Sequence, residues 1–192
     1  GGTWAFAADG SMSKRLDPGL AARDGLVSAY LAKAGISGPH YVLEAEDGGF
    51  YRLFSQKWDL ERALAKNERL AIEEVEFKWF ASCKSVHSPI TAALQIHREN
   101  PLRSVEEIAN IFVEVNYSAL SMAGHDYRED SVVSAQISIP YGVALGLLGR
   151  QGQGKDYTVE ALRDPQIRKV ADKVTVVESE SFNILRETEH LS

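Results

Sequence analysis

Positions alternate in two short runs of the chain and a third run is β-branched, and these runs predict its strands. Ile111, Val113 and Val115 stand against Phe112, Glu114 and Asn116, a nearly strict period of two that marks a strand with one buried face over 108–116. Phe77, Trp79 and Ala81 alternate with Lys78 and Phe80, so a second strand is expected over 71–79, ending near Ser82. Val174 to Val177 is a last β-branched strand, over 174–178. Between them the period changes to that of helices. Ile90, Ala93, Leu94 and His97 share one face behind Ser88-Pro89, which reads as N-cap and first helical residue of a helix over 88–98. AQISIPYGVALGLL reads as an apolar helix starting near Ile139-Pro140, because proline is tolerated only in a first turn, and ending at the glycines of 149–154. Asp59 caps a short helical pattern to Ala65, and Ser104 to Glu107 forms an S-x-x-E turn. Residues 117–131 are polar and read as a long loop, and the tail 179–192 has no clear apolar face.

Strands interleaved with helices, without a glycine-rich phosphate loop, give an α+β fold: a two-layer lid-type domain with helices packed on one face of a mainly antiparallel sheet. Ahead of it, Gly10 to Gly19 is turn-rich, and Leu20, Val27, Tyr30 and Leu31 mark the inner face of a helix ending at Gly35. The small residues beside that face suit helix-on-helix packing in a larger helical body. The Gly38-Pro39 break then divides the chain into 1–36, the end of a helical domain; 37–178, the α+β domain; and 179–192, the tail. The opening GGTWAFAADG reads as a chain entered partway through an element, that is, a fragment.

Composition narrows the function. The 192 residues, 44% hydrophobic and 25% charged, are ordinary for a globular protein, and a net charge of −6 argues against a general nucleic-acid surface. No apolar run approaches the roughly 18 residues that span a bilayer. One cysteine and no visible signal peptide place the chain in the cytosol, with the mitochondrial matrix as the other compartment these features allow.

Chemistry concentrates where the first strand meets the central helix. His87, expected just outside a helix N-terminus, would feel the positive end of the dipole and stay neutral near pH 7, fit for proton transfer. The plainer reading is a hydrogen-bonded turn histidine. Cys83 has no second cysteine and no metal-type spacing to complete, so it reads as a small buried hydrophobe.

Four segments, GSMSKRLDPGLAARDGLVSAYLAKAGISGP, FKWFASCKSVHSPITAALQI, SAQISIPYGVALGLL and YTVEALRDPQIRKVADKVTVV, resemble in order and spacing the second half of the MmgE/PrpD family. That family includes 2-methylcitrate dehydratase, cis-aconitate decarboxylase and iminodisuccinate epimerase. The resemblance runs from about Ala7 to Val177. It implies a large helical domain joined to a smaller α+β lid, with the active site in the cleft between them. It also implies a lyase or isomerase that moves a proton α to a carboxylate of a small di- or tricarboxylate, without metal or organic cofactor. His87, Tyr141 and Lys14 match the family's catalytic positions, with Lys14, Arg15, Ser82, Cys83 and Lys84 expected around the substrate. Two positions depart from the pattern: Asp17, where many relatives have His or Asn, and Trp79, where a proline normally shapes the strand end. The implied partners are the polycarboxylate, an N-terminal helical half or split subunit, and a second copy in the complete protein. The alternative is a non-catalytic lid-like module that associates with a partner subunit.

Overall fold

The computed structural model describes residues 3–65 and 70–189. They form two compact units, one of residues 1–17 with 78–192 and the other of residues 18–77. The break expected after Ile36 lies inside the second unit. Helix α1 (Phe6–Asp9) ends at Gly10, whose φ of 65° is left-handed and whose Cα lies so close to Ser134 that an added Cβ would stand 2.6 Å from it. Helix α2 (Ser13–Lys33) starts earlier than the turn-rich sequence of 10–19 suggests and runs through Pro18. None of its residues is buried, and Val27, Tyr30 and Leu31 are open along it.

The 18–77 unit continues with α3 (Phe50–Phe54) and α4 (Leu60–Leu64). Its aromatic residues hold one another: Tyr51 stacks on Trp58 at 6.3 Å, and the Arg52 guanidinium lies 5.4 Å from the Trp58 ring. Asp59 accepts from the Arg62 N–H, the cap its sequence position calls for. The strand expected over 71–79 is absent. Ala71–Glu74 is a single 3-10 turn, and Phe77 and Trp79 are 94% and 83% exposed. Alternation alone makes no strand; a ladder partner is needed, and this run has none among the described residues.

The other unit is organised on α5 (Lys84–Glu99), which starts one turn ahead of Ser88-Pro89 with Cys83 as its N-cap. Val86 decides this. It is fully buried and extends the inward face of Ile90, Ala93 and Leu94 by one helical step, so burial outweighs the cap signal of Ser88-Pro89. Pro89 consequently sits inside the helix and leaves the Ser85 carbonyl without its usual donor. Strand β1 (Ile111–Val115) follows, then α6 (Tyr117–Ala123), where a loop was expected; Asn116 caps it by accepting from Ala119 N–H at 2.9 Å.

After α7 (Val132–Gln136), helix α8 (Ile139–Leu147) is buried along its whole length, with Ser138 capping it and Pro140 in its first turn as expected. It lies against α5 at very short range. A Cβ on Gly142 would stand 2.4 Å from Val86 Cγ1, and one on Gly146 would stand 2.6 Å from Ala93 Cβ. The two glycines, one turn apart, set how closely the helices approach. Gly149, at φ 72°, ends the helix. Helices α9 (Val159–Leu162) and α10 (Pro165–Ala171) lead to β2 (Val174–Glu178), and α11 (Glu180–Glu189) occupies the tail read as featureless.

The architecture is α+β, but its sheet is parallel, not antiparallel. β1 and β2 pair in register from Ile111 with Val174 to Val115 with Glu178. The chain between them is a long helical crossover, the connection that parallel strands require and a hairpin cannot supply.

Candidate active site

The site grows from the short segment between Lys78 and the start of α5. Two main-chain bonds pin it: Ala81 N–H donates to Gly152 at 2.9 Å, and Cys83 N–H donates to Gln136 at 2.7 Å. Gln136 also donates through Nε2 to the Ala81 carbonyl at 2.8 Å and accepts from Arg15 at 3.1 Å through Oε1. One glutamine side chain therefore carries Arg15, at the start of α2, to the segment that holds Ser82 and Cys83. Lys78 closes the segment on itself, its Nζ donating to the Ser82 carbonyl at 3.1 Å.

His87 lies on the first turns of α5, inside the helix and not ahead of it. Phe80 packs edge-on against its ring at 5.1 Å. Its Nε2 is buried without a hydrogen-bond partner. Burial is the main cause that lowers its pKa below the usual histidine value; the charges of Lys78 and Lys84 lower it further, and the Ser82 and Phe80 carbonyls partly oppose them. The neutral ring expected from the helix dipole thus has a different origin: desolvation and two neighbouring lysines. A cavity of about 350 Å³ opens beside it, lined among others by Trp79, Phe80, His87, Ser88, Arg98 and Gln153. Gln153 fixes the rim by donating to the Trp79 carbonyl at 2.9 Å. A neutral imidazole and an arginine at one opening, with Lys78 and Lys84 near enough to the ring to act on its charge, suit an anionic ligand and a proton acceptor.

Arg15, Ser82, Cys83, Lys84 and His87 are thus held around one segment. Lys14 and Tyr141 are placed otherwise. The Lys14 ammonium lies 5.1 Å from the Phe6 ring centroid. Tyr141 is fully buried on α8, between Tyr127 at 4.6 Å and Tyr157 at 5.5 Å, and its hydroxyl donates to the Asp156 carbonyl at 2.5 Å. Desolvation pushes its pKa far up, so it keeps its proton. It does not line the cavity.

Lys78, Gln136, Arg98 and Gln153 are not among the site residues expected from the sequence. Lys78 had a usable signal, a cation at the polar position of an apolar run that ends in Ser82-Cys83-Lys84. The others depend on distant contacts. Among the described residues no group of three or more His, Cys, Asp or Glu side chains is placed to hold a metal ion, and no helix is long and apolar enough to cross a membrane.

Residues 80–190 match the model of the MmgE/PrpD C-terminal domain, and residues 1–63 match that of the MmgE/PrpD N-terminal domain. The chain belongs to the MmgE/PrpD family. Both matches fall on sequence identified above by its motifs. Cis-aconitate decarboxylase of Aspergillus terreus is 28% identical over 190 residues, covering 91% of this chain and 39% of that protein. The cis-aconitate decarboxylase-like protein oryM of Aspergillus oryzae is 28% identical over 199 residues, covering 95% of this chain and 40% of that protein. The chain therefore spans about two fifths of the length of these relatives, whose names are those of decarboxylases, that is, of lyase-type enzymes.

Proposed function

We propose that this chain is part of a lyase or isomerase that moves a proton at carbon in a small di- or tricarboxylate, with His87 as the group that takes or returns it. One observation carries the reading. The buried Nε2 of His87 is unpartnered, its ring is held neutral by burial and by the charges of Lys78 and Lys84, and His87 lines a cavity that also presents Arg98. Cations beside a neutral base hold substrate carboxylates and stabilise the negative charge that develops when a carbon acid loses its proton.

In dehydration or epimerisation, His87 would accept the proton α to a carboxylate. The electron pair left on carbon then expels hydroxide, which leaves as water after protonation, or takes a proton back on the other face. In decarboxylation, His87 first takes a proton from water; the bond to the departing carboxylate then breaks, carbon dioxide leaves, and the electron pair on carbon receives that proton, returning the ring to its neutral form. The relatives' names favour decarboxylation of cis-aconitate as the first substrate to try.

Arg15, Ser82, Cys83 and Lys84 fall to the substrate side of this reading, and Lys14 to a carboxylate beyond the segment. Tyr141 takes part only if its hydroxyl leaves the Asp156 carbonyl. The complete protein would be needed for turnover, because the relatives are more than twice as long. The test is consumption of cis-aconitate, 2-methylcitrate and citrate by the full-length protein and by the isolated chain. Turnover by the first and none by the second is expected. Failure of the full-length protein on a broad panel of di- and tricarboxylates would favour the non-catalytic module, whose docking the exposed Phe77 and Trp79 would serve.

A further inference from the structure

His87 and Arg98 line the same cavity, yet they stand far apart on it. Both belong to α5, eleven residues or about three turns apart, so they share one face of the helix and are offset by roughly 16 Å along its axis. Side chains on a helix lean toward its N-terminus, which carries the imidazole away from Arg98. Even an arginine stretched about 6 Å toward the ring leaves about 10 Å to bridge. A six-carbon polycarboxylate spans only about 6 Å. A small acid whose reacting carbon faces His87 therefore does not reach Arg98, and the arginine serves some other part of the ligand.

The lining between the two ends is of a different kind. Thr91 and Leu94 stand one and two turns along α5 from His87, and the Thr91 hydroxyl already donates to the His87 carbonyl at 2.9 Å. The amide donors of Gln151 and Gln153 are engaged as well, on the Gly149 carbonyl at 3.2 Å and the Trp79 carbonyl at 2.9 Å. Trp79 and Phe80 supply apolar wall, on a segment held in place by that bond and by Ala81 N–H to Gly152 at 2.9 Å. The cavity is thus a groove with a proton acceptor at one end, a middle whose donors are taken, and a cation at the other end. Arg98 enters no ion pair among the described residues. A volume of about 350 Å³ is that of a cleft for a ligand larger than a six-carbon acid. We propose that the groove along α5 binds a hydrocarbon chain carried by the polycarboxylate and, through Arg98, an anionic group at the far end of that chain. The proposal deepens the reading of His87 as the proton-transfer group and rests on it for the reaction, whereas the binding it describes needs no chemistry. A chain of about eight carbon–carbon bonds covers the 10 Å or so between the ends. Its methylenes and the indole of Trp79 leave water together, and a terminal carboxylate meets the guanidinium fork in charge-assisted hydrogen bonds.

The experiment is isothermal titration calorimetry of the full-length protein with succinate, octylsuccinate and carboxyheptylsuccinate, the last two having chains of equal length that end in a methyl and a carboxylate. Carboxyheptylsuccinate should bind at least about tenfold tighter than octylsuccinate, the worth of one charge-assisted contact, and octylsuccinate tighter than succinate. Arg98→Gln should bring the two chain-bearing acids to nearly equal affinity. Arg98→Glu should reverse the order, favouring aminooctylsuccinate, whose chain ends in an ammonium. Octylsuccinate, blind to the charge at position 98, reports in each variant that the groove is intact. No gain in affinity from the chain, or a preference for the terminal carboxylate that survives in Arg98→Gln, would overturn the proposal. Because binding is read and not turnover, a protein that shows this pattern but exchanges no proton at carbon keeps the groove and loses the proposed reaction, and one that turns over small acids without regard to chain or charge keeps the reaction and loses the groove.

Discussion

Replacing Tyr141 by Phe separates a packing tyrosine from a catalytic one. The change keeps the ring between Tyr127 and Tyr157 and deletes only the hydroxyl that donates to the Asp156 carbonyl at 2.5 Å. A typical intramolecular hydrogen bond contributes about 1 kcal/mol net, and stranding a buried partner costs about 1–3 kcal/mol. Tyr141 is wholly buried and no solvent reaches it, so a loss of about 2 kcal/mol is expected. For a protein of this size that corresponds to a fall in Tm of roughly 4–8 °C. Thermal unfolding followed by circular dichroism reads it directly. The same substitution in the full-length protein, assayed well below its Tm, should keep kcat within a few fold if the hydroxyl stays on Asp156, whereas loss of a working acid or base costs roughly 10²–10⁴-fold. An unchanged Tm with a collapsed kcat would refute the assignment of this hydroxyl to the core and put it at the substrate.

Three further outcomes follow from the packing and the charges. Gly146→Val should destabilise by roughly 1–3 kcal/mol, because its side chain meets Ala93 Cβ and the Ile90 carbonyl, and chemical denaturation should show it while the exposed Gly19→Ala shows no such loss. Lys173→Met should cost about 1–3 kcal/mol in the same assay, since Lys173 Nζ donates to the Val105 carbonyl at 2.8 Å and the Ile108 carbonyl at 2.5 Å, and both would be left unmet. His87 has a folded pKa below its ordinary 6.5, so the unfolded chain binds the proton more readily; stability should fall as pH drops through 6.5 and level off below the folded midpoint. His87→Gln should flatten that part of the stability–pH curve, and an unaltered curve would show that the ring is not desolvated.

Features written into adjacent residues were legible in the sequence. Ile139-Pro140 marks the start of α8, Gly149 its end, and Asp59 the cap of α4, because each acts within one turn of chain. Sheet direction was not legible. β1 and β2 pair across most of the domain, and nothing within Ile111–Val115 says whether its partner runs parallel or antiparallel. The alternation around Phe77 and Trp79 looked like a strand for the same reason: period two reports side-chain facing, and pairing depends on distant residues. At the site, the motif around Ser82-Cys83-Lys84 and His87 lies within one short segment, so its residues share a neighbourhood by chain continuity alone. Its reinforcement by Gln136 and Gln153 comes from two separate stretches of chain, and no spacing announces it.

The central claim is that His87 exchanges a proton with carbon in a bound polycarboxylate. The most direct measurement is deuterium incorporation at the substrate or product carbon in deuterated water, with cis-aconitate first, comparing full-length protein with its His87→Gln variant. The account predicts incorporation at carbon by the intact protein and a loss of about 10²–10⁴-fold in its rate in the variant. Equal rates of incorporation in the two proteins would contradict it.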